Sequence, residues 1–216
     1  MGKKDKIKNI VFDGNYFWFK HKGELVQIEE NDIVKIDLKK IELIITDNLY
    51  SFEKIDDSIS NQMNEEEVIR YLIWKMKIDR GKQFFTIKRM ENDLFGFIVG
   101  KKDSIKIKEI FGNKINSINP FIFKLFDRLI DEISPFSMMV IDYNNLTDFL
   151  VIGENTPFFL RKKYDLNHEE KIRETNITKN FIKSNYNINI DKVYSNVSLE
   201  IENFNLLKGE PLKIIL

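Results

Sequence analysis

Apolar residues occur along this chain mostly in short runs, and these runs predict many strands. Buried strands are typically runs of about four to eight apolar residues bounded by turn formers. The predicted strands lie at 8–13, 16–20, 24–28, 41–46, 83–90, 94–100, 137–143, 147–152, 156–161, 191–197 and 211–216. Turn-forming residues such as His21-Lys22-Gly23 and Asn144-Asn145 separate neighbouring runs and predict hairpins.

Four segments have helical rather than strand-like spacing. The clearest is 65–78, where apolar residues recur on one face and Asn64 precedes three glutamates, as a helix cap would. Other helices are predicted from Asp103 to about Gly112, from Asn119-Pro120 to about 133, and over roughly 168–184.

The order of these elements predicts an α/β fold with two related halves. The second half has three antiparallel strands followed by helix-linked strands, which is the ribonuclease-H-like pattern, and the first half opens in the same way. Each half begins with an apolar strand that ends in an acid, Asp13 or Asp142. Two such lobes in one chain predict the actin-like fold. The expected domains are a first lobe (1–46 and 113–134), a small inserted α+β subdomain (47–112) and a second lobe (135–216).

Composition and charge exclude several classes of protein. The 216 residues include 34 Lys or Arg and 34 Asp or Glu, and this balance argues against nucleic-acid binding. The absence of cysteine excludes disulfide frameworks and cysteine zinc sites. The longest stretch without a charged residue is nine residues, too short to span a membrane. The basic segment Met1–Lys8 lacks the apolar core of a signal peptide, so we expect a cytoplasmic location.

The segment 138–162, MMVIDYNNLTDFLVIGENTPFFLRK, resembles the second phosphate-loop region of PilM, the actin-like component of type IV pilus assembly. Asp142 ends one strand, a second strand follows, and Thr156–Arg161 matches the next strand of that family. Residues 10–28 look like the opening hairpin of the family, and residues 50–76 look like its inserted subdomain. The cytoplasmic domain of GspL, from type II secretion, shares this architecture.

The resemblance implies nucleotide-loop positions, but their residues are altered here. In nucleotide-binding members, a glycine after each strand-end Asp lets the backbone approach the phosphates. The candidate cofactor-binding residues of this chain are Asp13, Gly14, Asn15, Asp142 and Asn144. The Gly-Gly of the adenosine site is replaced by Ser195-Asn196. Asparagine can adopt left-handed backbone, so the turns can form, but side chains would fill the phosphate space. ATP with Mg²⁺ is therefore disfavoured, and we expect no cofactor and no catalytic residue.

Each candidate site also has a simpler structural interpretation. Asp13 and Asp142 are more simply turn residues than Mg²⁺ ligands. A ribonuclease-H-type nuclease would require three or four clustered acids that hold two metals. His21 and His168, the two histidines, are expected at the surface rather than in a metal site.

The leading hypothesis is a non-catalytic actin-like scaffold of a type IV pilus or type II secretion inner-membrane platform. The resemblance implies two partners, a bitopic inner-membrane protein (PilN-like or a secretion-platform subunit) and the assembly ATPase, and it allows a homodimer. The chain would then be peripheral to the inner membrane through these partners. The alternatives are a nucleotide-binding actin-like ATPase of the same machinery and a structural domain of unrelated function.

Aromatic residues suggest where a partner binds. The chain has 18 Phe, 7 Tyr and 2 Trp, and exposed aromatic patches commonly mark binding sites. Phe17, Trp18 and Phe19 follow one another on the first hairpin, and we expect them to line an apolar groove beside the inserted subdomain that holds an extended peptide. Burial in the core is the competing interpretation. The sequence ends in the apolar run PLKIIL, which is compatible both with a natural end at Leu216 and with a linker and membrane helix that follow in the full gene.

Overall fold

The computed structural model describes residues 9–55, 63–90, 93–154 and 156–216. By its internal contacts the chain divides into two compact units, one of residues up to 124 together with Leu216, and one of residues 125–215. The first unit contains two sheets and the second unit contains one.

The first sheet has five strands in the order β3-β2-β1-β4-β8. Its members are β1 (Asn9–Phe12), β2 (Phe17–His21), β3 (Glu24–Ile28), β4 (Ile41–Ile45) and β8 (Ile115–Pro120). Strands β1, β2 and β3 form an antiparallel meander, and β4 and β8 join it in parallel. The short helix α1 (Glu30–Ile33) follows β3. Strands β1 and β4 are buried except at Asn9 and Glu42, which are half-buried, as their mostly apolar sequences indicate.

The second sheet of this unit is antiparallel, in the order β5-β7-β6. Its strands are β5 (Tyr50–Ile55), β6 (Phe85–Met90) and β7 (Asp93–Val99). Helix α2 (Glu65–Lys75) packs on it through a core of Val68, Leu72, Ile55 and Leu94. The predicted cap is confirmed, because the Asn64 side chain accepts from the Glu67 amide while the Glu67 carboxylate accepts from the Asn64 amide.

Two further helices follow this second sheet. Helix α3 (Lys101–Phe111) buries Ser104, Ile107 and Phe111. Helix α4 (Phe121–Leu129) follows β8, and its Phe123 ring packs against Phe95 and Phe97 of β7. The boundary between the two units falls within α4.

The second unit is built on a mixed sheet in the order β11-β10-β9-β12-β13. Its strands are β9 (Ser137–Tyr143), β10 (Leu146–Ile152), β11 (Pro157–Tyr164), β12 (Lys192–Ser195) and β13 (Phe204–Leu206). The first three form an antiparallel meander, and β12 and β13 pair in parallel. Helix α5 (His168–Tyr186) contributes Ile182 to a core that includes Met138, Val140, Phe149 and Val193.

Each of the three sheets is formed by strands from one of the three predicted domains. The exact domain boundaries stay predictions. The first lobe was expected from 1–46 and 113–134, and its sheet uses strands within 9–45 and 115–120. The three-stranded sheet falls within 47–112, and the third sheet falls within 135–216.

Three element predictions are wrong. The C-terminal segment, predicted as a strand over 211–216, is a short helix α6 (Pro211–Ile215). Proline suits the first turn of a helix, and an apolar run this short does not distinguish a strand from a buried helix by its pattern. Residues 115–120 form strand β8, so α4 begins at Phe121 rather than at Asn119-Pro120. The stretch 200–208, expected as a loop or helical turn, contains strand β13.

Candidate functional site

The first candidate loop is closed by the carboxylate of Asp13. This side chain is 5% exposed, and its Oδ1 accepts from the backbone amides of Asn15 (2.9 Å) and Tyr16 (2.7 Å). Its Oδ2 accepts from the indole N–H of Trp18 at 2.8 Å. Both carboxylate oxygens are therefore engaged by donors of the loop and the following strand. This is the geometry of an aspartate that fixes a turn.

The backbone of this loop passes close to its neighbours. Gly14 has φ +100°, and a Cβ placed there would lie 3.1 Å from Cδ2 of Leu49. The ammonium of Lys106, on α3, lies 3.5 Å from the Gly14 carbonyl oxygen and 3.1 Å from the Glu30 carboxylate. Gly14 is thus required for the tight turn itself.

The aromatic hairpin is mostly core. Phe17 and Phe19 are buried, and Phe17 stacks on Phe12 with ring centroids 4.6 Å apart. These two side chains cannot be surface contacts for a partner, so this part of the partner-site prediction is corrected. Trp18 lies on the other face of β2, is half-buried and is held by Asp13. A partner-binding role for the hairpin stays a prediction that now rests on Trp18.

The second candidate loop is a two-residue hairpin turn between β9 and β10. Asn144 (φ 50°) and Asn145 (φ 63°) are both left-handed, and Tyr143 pairs with Leu146. Positive φ at both central residues defines a type I′ turn. The prediction that asparagine preserves the turn is confirmed, although no glycine is present.

The carboxylate of Asp142 has two internal partners in the second unit. Its Oδ1 accepts from the Thr147 hydroxyl at 2.9 Å, and its Oδ2 lies 2.8 Å from the Lys171 ammonium. Both members of this ion pair are largely shielded, with side-chain exposures of 15% for Lys171 and 26% for Asp142. A lysine thus supplies the positive charge beside this strand-end acid, so a Mg²⁺-bound nucleotide would compete with it.

Asn196 holds the backbone of Asp142. Its Oδ1 accepts from the Asp142 amide and its Nδ2 donates to the Asp142 carbonyl, both at 2.8 Å. This side chain therefore joins the loop after β12 to the end of β9. Asn196 occupies one of the positions where the resemblance implies Gly-Gly, so the altered residue has a structural role of its own.

Sequence reasoning missed Thr147 and Lys171. Thr147 faces Asp142 in the register of the β9–β10 hairpin, so a two-residue turn at Asn144-Asn145 would have indicated it. Lys171 comes from α5, 29 residues further along the chain, and no local pattern signals that contact.

The described residues do not provide a metal centre. Among 9–55, 63–90, 93–154 and 156–216, no group of three or more His, Asp or Glu side chains is placed to hold an ion. His21 and His168 are both exposed, at the end of β2 and the start of α5. The cluster of acids that a two-metal nuclease requires is thus not found in the described part of the chain.

A narrow apolar slot lies within the first unit, with about 10 Å³ of space, which is roughly the room for one water molecule. Its lining comes from the two sheets of that unit: Ile45 and Ile118 from the first, Phe85, Phe97 and Val99 from the second. Phe84 and Phe85 at this slot are half-buried, so they are the part of its lining that a partner could contact.

Comparison with known proteins identifies the fold but no close relative. No protein-family model matches the sequence, and no curated protein matches it significantly. A Bacteroides thetaiotaomicron protein with an actin-like ATPase fold superposes with a TM-score of 0.61 at 10% identity, over 91% of this chain and 84% of that chain.

Two structures of assembly-machine components also match. The cytoplasmic domain of EpsL, an inner-membrane component of the Vibrio cholerae type II secretion system, gives a TM-score of 0.55 at 8% identity over 96% of this chain and 91% of that one. The PilM–PilN type IV pilus biogenesis complex gives 0.57 at 7% identity over 89% and 81%. No helix among the described residues is both long and apolar enough to cross a bilayer. The predicted likeness to PilM and GspL-type domains is confirmed at the level of fold, and the chain has the actin-like ATPase fold.

Proposed function

We propose that this chain is a non-catalytic actin-like scaffold that works by binding partner proteins in an inner-membrane assembly platform of the type IV pilus or type II secretion kind. The observation that carries the proposal is the internal use of the altered nucleotide-loop residues. Asp142 is bound by Lys171, Thr147 and Asn196 of its own unit. Asp13 is bound by its own turn and by Trp18.

The energetics favour a scaffold over an ATPase. A nucleotide that displaced Asp142 from Lys171 would leave a largely shielded charge unpaired, which costs several kcal/mol. Asn144 also carries a side chain at a position where the resemblance implies glycine in nucleotide-binding members. A nucleotide-binding actin-like ATPase is the alternative, and it requires tight binding of ATP with Mg²⁺.

The proposed partners are chosen by analogy with the structural neighbours that belong to assembly machines. The PilM–PilN complex supports a PilN-like inner-membrane partner for this chain. An assembly ATPase as second partner, a homodimer, and a cytoplasmic position at the inner membrane are parts of the same proposal. The apolar slot of the first unit is the proposed site for the short cytoplasmic segment of the membrane partner, because its half-buried Phe84 and Phe85 are apolar surface that an extended peptide would cover.

Peptide binding to full-length variants tests this site. A fluorescently labelled peptide with the sequence of the cytoplasmic segment of PilN is titrated with wild-type chain. Phe85→Ala, which removes a half-buried wall of the slot, should weaken binding by about tenfold or more, as a lost apolar anchor does. Phe159→Ala is the matched control, since Phe159 is a half-buried phenylalanine of the second unit and does not line the slot. Equal losses for both variants, or none for either, would contradict the proposed placement.

A further inference from the structure

The most exposed large apolar side chain among the described residues is Trp74, at 76% exposure. It lies in the last turn of α2, and its nearest aromatic neighbour is Tyr71, with ring centroids 6.4 Å apart. The core contacts of α2 come from Val68 and Leu72 instead. Trp74 therefore contributes little to the unit that carries it and presents a large apolar area to whatever approaches.

The chain next to Trp74 is strongly basic. Residues 70–82 contain five Lys or Arg side chains and one acid, Asp79, although the whole sequence is neutral. Two of the five are paired: Arg70 lies 3.5 Å from Glu66, and Lys75 binds Glu53. The hydrogen bond that Lys75 donates to the Glu53 carboxylate raises the pKa of Lys75, so this cation is held against β5.

The other three cations are Lys77, Arg80 and Lys82. All three side chains are exposed, and none has an ion-pair partner among the residues described by the structure. The acids of α2, such as Glu66 and Glu67, lie at the opposite end of the helix. An 11-residue helix is about 16 Å long, so charge is separated along α2 over more than one Debye length at physiological salt.

Helix α3 extends this basic surface. Lys101 lies 3.6 Å from Asp79, and the Lys108 ammonium donates to the Gly81 carbonyl at 3.1 Å, so α3 is fastened to the loop 77–82. Ile105 and Lys108 are four and seven residues after Lys101, so the three side chains lie on one face of α3. Ile105 is itself 39% exposed. The surface thus combines protruding apolar side chains with surrounding cations.

We infer that this surface, formed by Trp74, the loop 77–82 and the Lys101–Ile105 face of α3, docks directly onto an anionic phospholipid bilayer. Tryptophan is favoured at the membrane interface, where its amphipathic ring lies at the level of the headgroups. Unpaired lysines and arginines beside it are attracted to anionic headgroups. The neighbouring shallow pocket is lined by residues such as Met76, Gln83 and Asp103 and includes neither Trp74 nor the unpaired cations. Peptides are usually held in grooves or at sheet edges, whereas a bilayer accepts side chains that protrude.

This inference adds to the proposed function, which places the chain at the membrane only through partner proteins. Bilayer docking would hold the three-stranded sheet and α2 against the membrane by themselves. It does not depend on the nucleotide loops or on the apolar slot, so its failure would leave the scaffold proposal unchanged.

Vesicle binding tests the inference on the full chain. Because the sequence has only Trp18 and Trp74, a Trp18→Phe variant makes Trp74 the single tryptophan reporter. Vesicles of phosphatidylcholine mixed with phosphatidylglycerol should co-sediment the protein and shift Trp74 fluorescence to shorter wavelength. Vesicles of phosphatidylcholine alone should do neither, and added salt should reverse the effect. Co-sedimentation of the wild type is measured in parallel, so the result does not depend on the Trp18→Phe background.

The variants define the surface. Each cation near an anionic bilayer changes partitioning by about fivefold, so Lys77, Arg80 and Lys82 changed together to Gln should weaken binding about 100-fold. Trp74→Ala should weaken it about tenfold. The matched control changes Lys20, Lys39 and Lys208 to Gln, because these lysines are equally exposed and lie elsewhere.

Three results would overturn the inference. The first is equal binding to neutral and anionic vesicles, or no binding to either. The second is an equal loss in the control triple variant, which would indicate unspecific charge attraction. The third is binding of soluble polyglutamate without binding of anionic vesicles, which would identify an acidic protein segment as the occupant.

Discussion

At the scale of single residues, the altered nucleotide-loop residues form hydrogen bonds and an ion pair within the chain. Asn196 illustrates this best, because one amide side chain satisfies both the N–H and the C=O of Asp142. The sequence showed that glycine is missing at this position, but not that the asparagine side chain binds the backbone of Asp142. The turn at Asn144 and Asn145 was easier to predict, since asparagine, like glycine, readily adopts the left-handed backbone conformation.

Replacement of Asn196 by Ala should destabilise the protein by about 1–3 kcal/mol. The change removes two hydrogen bonds and leaves partly buried backbone groups of Asp142 without that partner. Denaturant unfolding measures the effect. The control is Asn185→Ala, which removes one exposed bond to the Phe181 carbonyl and should cost less than about 0.5 kcal/mol. An Asn196→Ala protein as stable as the control would show that these two hydrogen bonds have no energetic weight.

The hairpin turn gives a second residue-scale prediction. Asn145→Gly should be neutral or slightly stabilising, because type I′ turns favour Asn-Gly, whereas Asn145→Ala should cost about 1 kcal/mol for a left-handed Cβ. The order of the two thermal unfolding midpoints checks this. A lower midpoint for the glycine variant than for the alanine variant would contradict the assigned turn.

At the scale of elements, contacts were predictable where both partners lie within a few residues of each other in the sequence. The Asn64–Glu67 capping box at the start of α2 is of this kind. The Lys171–Asp142 pair and the C-terminal helix α6 were not predicted, because tertiary packing decides them. Strand β8 was missed since its sequence, INSINP, has too few apolar residues to indicate a strand by itself.

The packing of α2 on β7 depends on Gly96. A Cβ at this position would lie 2.7 Å from Cδ2 of the buried Leu72, so Gly96→Ala should cost about 1–3 kcal/mol by overpacking. In a Leu72→Ala background the added cost should nearly vanish, which a double-mutant cycle of unfolding free energies measures. Gly81→Ala is the control, with its nearest atom at 3.5 Å. Additive costs at Gly96 and Leu72 would refute the close contact.

At the scale of the whole molecule, the actin-like fold was predictable from the order of strands and helices, and it is confirmed by structures that share 10% identity or less with this chain. Fold alone does not choose between an ATPase and a scaffold. That choice depends on a few loop residues, Asp13, Asp142 and Asn196 among them, whose side chains are engaged within their own units.

Isothermal titration calorimetry of the full chain with ATP and Mg²⁺ tests the central claim most directly, with a nucleotide-binding actin-like protein as positive control. Because both strand-end acids already have internal partners, we predict no saturable binding tighter than about 10 μM, equivalent to about −7 kcal/mol. A stoichiometric heat signal with a Kd below that value would contradict the scaffold account and establish the nucleotide-binding alternative.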